Sequence, residues 1–285
     1  MAFSVLMSVY IKEKPEYLSK ALDSVIYQTL PPNEIVLIKD GPLTDELEKV
    51  IENKREIYPF FKIYQFRKNV QLGRALAKGV KLCKYDLVAR MDSDDIAVKQ
   101  RFEVQYNYMI NHPEKSVCGG WIEEFSGDGT YRKIKKVPET MDKIYKYAKY
   151  RNPLNHMTVM FRKEAVLSVN NYRHFPFLED YDLWIRMISA NYKFVNIPQV
   201  LVKARMENGV YARRGGVQYC KNCLKLRKQQ KKIGLLKTSE YIWSIVGTMV
   251  MTLQPDFIRK YICQKILRKK EKQYGKSTIN CSSSL

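Results

Sequence analysis

With 285 residues, 45% of them apolar and 12% aromatic, the chain has the composition of a globular protein large enough to bury a core, which excludes a disordered or fibrous polymer. Fifty Lys and Arg against 29 Asp and Glu leave a formal charge of +21. A field of that sign attracts polyanions: nucleic acid, an anionic membrane surface or phosphorylated substrates.

Ser4–Tyr10 reads as a β-rich apolar strand. It lacks the basic start and long apolar core of a signal peptide, so a cytosolic chain is expected. Pro15–Thr29 follows at helical spacing, with Leu18, Leu22, Val25 and Ile26 on one face, and Pro31-Pro32 ends it. Glu34–Asp40 is a second apolar strand ending in a carboxylate. Thr44–Ile57 reads as a helix, Phe61–Phe66 as a third strand, and Gln71–Leu82 as a helix with small residues for close packing on a sheet.

The run Leu87–Asp95 is a buried strand that stops in Asp92, Asp94 and Asp95. Carboxylates that close repel and are costly to desolvate, and a divalent cation such as magnesium or manganese would reconcile them. The competing explanation is a solvated Asp-rich turn capping the next helix. Strands alternating with helices, the strands apolar throughout, imply an α/β fold with a largely parallel sheet and helices on both faces. Ligands in such sheets sit at the C-terminal strand ends, which places Tyr10, Asp40 and Asp92–Asp95 on one rim.

Lys99–Ile110 is expected as a helix, Ser116–Phe125 as a strand, Ser126–Gly129 as a turn, Thr140–Tyr150 as a helix and Thr158–Phe161 as a strand, with His156 just before it. His156 is either a proton carrier or a packing residue. Glu179, Asp180 and Asp182 open a helix whose face Leu183, Trp184, Met187 and Ile188 is apolar. Acids there complement the helix dipole, and one of them could serve as a general base. Arg213 and Arg214, flanked by glycines, suit bidentate contact with phosphate oxygens.

After Gly216 the character changes. Residues 217–285 hold fifteen bases and three acids, a net of +12. Val217–Lys237 reads as a basic helix, Tyr241–Leu253 is an apolar run too short to span a bilayer, and Phe257–Lys272 is amphipathic and basic. That combination fits peripheral attachment to anionic lipid, against the simpler reading that Tyr241–Leu253 packs on the domain. Six scattered cysteines, with one lone Cys220-x-x-Cys223, read as free thiols rather than a zinc site.

The ordered motifs Ser-Val-Tyr10, Ala21-Leu-Asp-Ser-Val, Ile35-Val-Leu-Ile-Lys-Asp-Gly41, Asn69-x-x-Leu-Gly-x-Ala75, Asp92-Ser-Asp-Asp95 and Leu178-Glu-Asp-Tyr-Asp-Leu-Trp184 together resemble the family 2 glycosyltransferases. The resemblance spans about residues 3 to 216. It runs to the capsule, exopolysaccharide, O-antigen and amylovoran type. It implies a GT-A nucleotide-sugar-binding fold with a central, mostly parallel mixed sheet flanked by helices, here with a C-terminal helical extension over 217–285. It also implies an inverting transfer of one hexose from a UDP-sugar to an undecaprenyl-diphosphate-linked acceptor at the inner face of the plasma membrane. By position, Asp40 and Tyr10 would hold the nucleotide base and Asp92 the ribose side. Asp94, with Asp92 and Asp95, would hold Mn2+ or Mg2+. Asp180, or else Glu179, would be the base, Arg213 and Arg214 would meet the diphosphate, and His156 would face donor or acceptor.

Two rivals stand beside it: an inactive scaffold of the same fold, and a polyanion- or nucleic-acid-binding protein. Nucleic-acid binding would predict basic residues interleaved with aromatics and no metal carboxylates. A dinucleotide dehydrogenase is excluded because no G-x-G-x-x-G follows a strand.

Overall fold

The computed structural model describes residues 2–126, 131–206, 215–255 and 258. The turn expected at Ser126–Gly129, the Arg213-Arg214 pair and the amphipathic stretch Phe257–Lys272 therefore fall wholly or largely outside the described residues. The first half alternates as expected: β1 (Ser4–Val9), α1 (Pro15–Ile26), β2 (Glu34–Lys39), α2 (Asp45–Ile57), β3 (Phe61–Gln65), α3 (Leu72–Leu82) and β4 (Leu87–Asp92). β5 (Ile96–Ala97), α4 (Arg101–Asn111), β6 (Lys115–Phe125), β7 (Arg132–Lys135) and α5 (Met141–Ala148) follow. Then come a 3-10 turn (His156–Thr158), β8 (Met160–Arg162), α6 (Lys163–Ser168), α7 (Glu179–Ser189), β9 (Lys193–Arg205), α8 (Val217–Lys232) and α9 (Thr238–Leu253).

The strands form one mixed sheet in the order β3-β2-β1-β4-β8-β6-β9-β5, with β7 paired to β6. β1, β2, β3 and β4 are parallel, β8 is antiparallel to both β4 and β6, and β6 runs parallel to β9. Side chains alternate across a strand. Val5, Met7 and Val9 therefore pack with α1, α2 and α4, while Leu6, Val36 and Ile38 pack with α3, α5, α6 and α7. Burial on both faces is why these strands read as continuous apolar runs. Leu226 of α8 and Leu235 join the second of these layers.

Gly73 sets how closely α3 approaches α7. A Cβ added there would stand 2.3 Å from the Arg173 carbonyl oxygen and 3.2 Å from the Glu179 Cβ. That contact brings the start of α7 against the sheet's C-terminal rim. Behind the rim, buried Arg101 donates to the Arg90 carbonyl at 2.6 Å, and Gln105 donates to the Cys118 and Thr158 carbonyls. These bonds tie β4, β6 and the 3-10 turn together. Cys83, Cys118, Cys220 and Cys223 are free thiols, the last two both on α8.

Candidate functional site

Parallel pairing fixes the rim. Ser8 lies level with Asp92 and Val9 with Lys39, and the Asp40 amide donates to the Val9 carbonyl at 2.8 Å. Tyr10, Asp40 and Asp92 thus follow the ends of three adjacent strands. Tyr10 is exposed. Asp40 is buried, its Oδ1 accepting from the Val70 amide at 2.6 Å and its Oδ2 from Asn69 Nδ2 at 3.0 Å. Burial raises its pKa and the backbone bonds oppose the rise. Asp40 therefore fastens the Asn69–Gln71 loop to the end of β2, a structural role that its place at a strand end did not reveal. Gly41 turns the chain away at φ +101°, where a side chain would meet the Asn69 backbone.

Asp92, Asp94 and Asp95 each offer a carboxylate oxygen, and these oxygens lie within 4.8 Å of one another. Asp95 is buried and accepts from the Arg205 amide at 2.8 Å. Arg205 Nε also donates to the Asp94 carbonyl, and its guanidinium lies over the rings of Tyr17 and Phe125. Ser93 donates to Glu13 at 2.5 Å. Asp94 is pushed up to about 7 by desolvation, with Asp92 and Glu13 adding like charge, and burial raises Asp95 well above the carboxylate range. The trio is short of positive charge. Hard oxygen donors at this spacing fit a divalent cation such as Mg2+ or Mn2+.

Glu179 and Asp180 begin α7. Asp180 Oδ2 accepts from Asn152 Nδ2 at 2.5 Å and its Oδ1 from the Tyr181 amide at 2.8 Å. Burial raises the pKa of Asp180, and burial followed by the Asp180 charge pushes Glu179 up to about 7. The third acid of the turn plays a different part, because Asp182 is fully buried and paired with Arg186 at 2.8 Å. Arg186 in turn donates to the Val169 and Asn171 carbonyls, so this pair anchors the segment leading into α7. His156 Nε2 meets the Tyr172 hydroxyl at 2.9 Å. Burial and the Arg90 charge push its pKa well down, so the ring is neutral.

Arg90 pairs with the first acid of the trio. It lies on β4, two residues before Asp92 and on the same face of the strand. It is 2% exposed and ion-paired to Asp92, while its Nε and Nη1 have no hydrogen-bond partner among the described residues. Its charge opposes, without overcoming, the rise that burial imposes on Asp94, Asp95, Glu179 and Asp180. Arg90 is thus in contact with Asp92 of the trio, while Asp180 takes its hydrogen bonds from Asn152 and the Tyr181 amide. Sequence reading passes over Arg90 as part of an apolar strand, although a charge inside such a run is itself a signal. Asn152, Tyr172, Glu13 and Arg205 carry no pattern that singles them out. Phe177 is a further case: it is exposed, holds φ +67° and packs edge-on to Tyr219 just before α7.

Residues 4–174 match the family described as Glycosyl transferase family 2. The amylovoran biosynthesis glycosyltransferase AmsE of Erwinia amylovora is 38% identical over 266 residues, covering 92% of this chain and 98% of that protein. The UDP-Gal:alpha-D-GlcNAc-diphosphoundecaprenol beta-1,3-galactosyltransferase of Escherichia coli is 37% identical over 268 residues, covering 94% and 97%. Among solved structures, S. aureus TarS 1-349 in complex with UDP-GlcNAc matches at TM-score 0.67 and 16% identity, over 95% of this chain and 78% of that one. A Pyrobaculum calidifontis mannosyltransferase in complex with GDP-Man and Mn2+ matches at 0.62 and 12%, over 96% and 79%. The sheet and its helices are those of the GT-A transferases. On the match across more than half its length and on relatives of this identity, the chain belongs to glycosyl transferase family 2 and is a glycosyltransferase.

Proposed function

We propose that the protein transfers one hexose from a UDP-linked donor to a lipid-diphosphate-linked glycan in surface-polysaccharide synthesis, with inversion to a β-linkage. The observation that carries this reading is the carboxylate trio at the end of β4, whose oxygens lie within 4.8 Å of one another at the C-terminal rim of the sheet. Asp92, Asp94 and Asp95 would hold Mn2+ or Mg2+, which supplies positive charge to the diphosphate as it leaves. Asp180, fixed by Asn152, takes the proton of the attacking acceptor hydroxyl, with Glu179 the second candidate. Attack from the face opposite the leaving diphosphate inverts the anomeric centre. Asp40 and Tyr10 border the base pocket, Asp92 the ribose side, and His156, held neutral, orients sugar hydroxyls. Arg213 and Arg214 are assigned to the diphosphate on sequence alone.

The names of the relatives support the substrate classes: one carries UDP-Gal and a diphosphoundecaprenol acceptor in its name. A Mn2+ ion and a nucleotide sugar accompany one structural neighbour. In the same reading, residues 1–216 form the catalytic part and 217–285 a basic helical part at the cytoplasmic face of the membrane that carries the acceptor. The test is a panel of UDP-galactose, UDP-glucose and UDP-N-acetylhexosamines, with Mn2+ or Mg2+, against a synthetic lipid-diphosphate sugar. Acceptor-dependent UDP release from one donor, stopped by a chelator, is expected. Release from none of them, with the protein folded, overturns the proposal.

A further inference from the structure

Helix α9 is inside out. Its buried residues are Ser244, Thr248 and Thr252, while Ile242, Trp243, Val246, Met249, Val250 and Leu253 face outward. Trp243 is 73% exposed beside Ser244 at 6%. A helix packing for its own stability turns its apolar stripe inward. Here the polar stripe is the one held: Arg227 Nε donates to Thr248 Oγ1, and the Gly216 amide donates to the Thr252 carbonyl. The outward residues recur at helical spacing and form one continuous apolar ridge. From Ile242 to Leu253 the ridge runs about 18 Å. No helix among the described residues is long and apolar enough to cross a membrane.

The other arm of the hairpin supplies the charge. On α8 the exposed lysines are Lys221, Lys225, Lys228 and Lys232, a spacing of four, three and four that makes a single basic ridge. The hairpin is also braced to the catalytic part. Lys149 pairs with Glu240 at 2.7 Å, Arg227 donates to the Lys149 and Tyr150 carbonyls, and Gln230 donates to the Ala148 carbonyl.

We infer that the α8–α9 hairpin is a docking arm for an anionic lipid surface, with the α9 ridge seated among the acyl chains and the α8 lysines over the headgroups. The apolar ridge of α9 and the basic ridge of α8 supply the two attractions, apolar burial and charge, that hold helices at such an interface. A second copy of the chain fits less well, because a two-fold pair sets the same patch of both copies together and crowds their lysines. This deepens the proposed function by naming the surface that leads the enzyme to its lipid-linked acceptor, and it rests on that reading.

The test uses the full chain and vesicles of phosphatidylcholine, with and without phosphatidylglycerol, in the absence of donor and acceptor. The wild type is expected to sediment with the anionic vesicles and to show a blue-shifted Trp243 emission that Trp243→Phe removes. The combined variant Ile242→Ser, Val246→Ser, Val250→Ser should partition about tenfold less or worse, while remaining folded by circular dichroism. The inference is overturned if the variant sediments like the wild type, if the wild type stays in the supernatant, or if the ridge instead holds a dimer that the variant splits in a sedimentation-velocity run. Vesicle binding by a protein with no transfer activity would sink the function and leave the docking arm. An active enzyme whose variant still binds would do the reverse.

Discussion

Arg90 is buried on β4 and paired with Asp92 at the rim. Removing one partner of a buried ion pair leaves the other charge uncompensated and costs roughly 3–5 kcal/mol. Arg90→Leu should therefore lower unfolding free energy by about that much in urea titrations, with Arg90→Lys losing less. An Arg90→Leu protein as stable as wild type would show that Asp92 does not depend on the pair. On the base side, Asn152 donates to Asp180 and fixes its orientation. Asn152→Ala should reduce kcat about tenfold or more with KM for the donor little changed, because only positioning of the acceptor's base is lost. The acids are legible in the sequence because clustered charge is costly and so visible. Arg90 is not, since only the fold shows that its strand neighbours leave it no water.

At the level of elements, the start of α7 reaches the rim because α3 presents a glycine to it. Gly73→Ala would drive a methyl into the Arg173 carbonyl, and overpacking of this kind costs about 1–3 kcal/mol. The Tm should fall, and kcat should fall with it as Glu179 and Asp180 shift. An unchanged Tm would mean that the two helices are not in register-setting contact. β1, β2 and β4 are readable because burial on both faces keeps them largely apolar, while β3, at the sheet edge, is only half-buried. β9 escapes for a physical reason: Pro198 and Asn196 interrupt its apolar run, and proline argues against an internal strand. The ladder absorbs the proline by a register shift, pairing Gly120 with Ile197 and Trp121 with Val200, so Pro198 and Gln199 bulge out. The helix read at Val217–Lys237 ends instead at Lys232, where the chain reaches Gly234 at φ +77°. The inversion of α9 is equally hidden, because an apolar run does not say which of its faces the protein covers.

Over the whole molecule, the crowded acids make stability depend on pH. Glu179 titrates near 7 in the fold against 4.5 in the unfolded chain, so the folded state holds its proton more tightly. Its contribution is present in full below 4.5 and is lost as pH rises through about 7, an amount on the order of 3 kcal/mol. Asp94 acts in the same direction, from 3.8 to about 7. The metal-free protein should thus lose Tm between about pH 5 and 7, and Mn2+ should raise Tm at about pH 7.5 far more than at about pH 5. A Tm that climbs across that window in the absence of metal would contradict this reading of the acids.

The two groups of acids also make separable demands on binding and on chemistry, and calorimetric titration of UDP with and without Mn2+, read beside turnover, distinguishes them. Asp94→Ala should abolish the metal-dependent part of UDP binding. Asp180→Asn should bind UDP and Mn2+ like the wild type while turnover falls by about a hundredfold or more. Equal turnover in Asp180→Asn, or metal-dependent UDP binding that survives in Asp94→Ala, would contradict the division of labour between the rim of β4 and the start of α7.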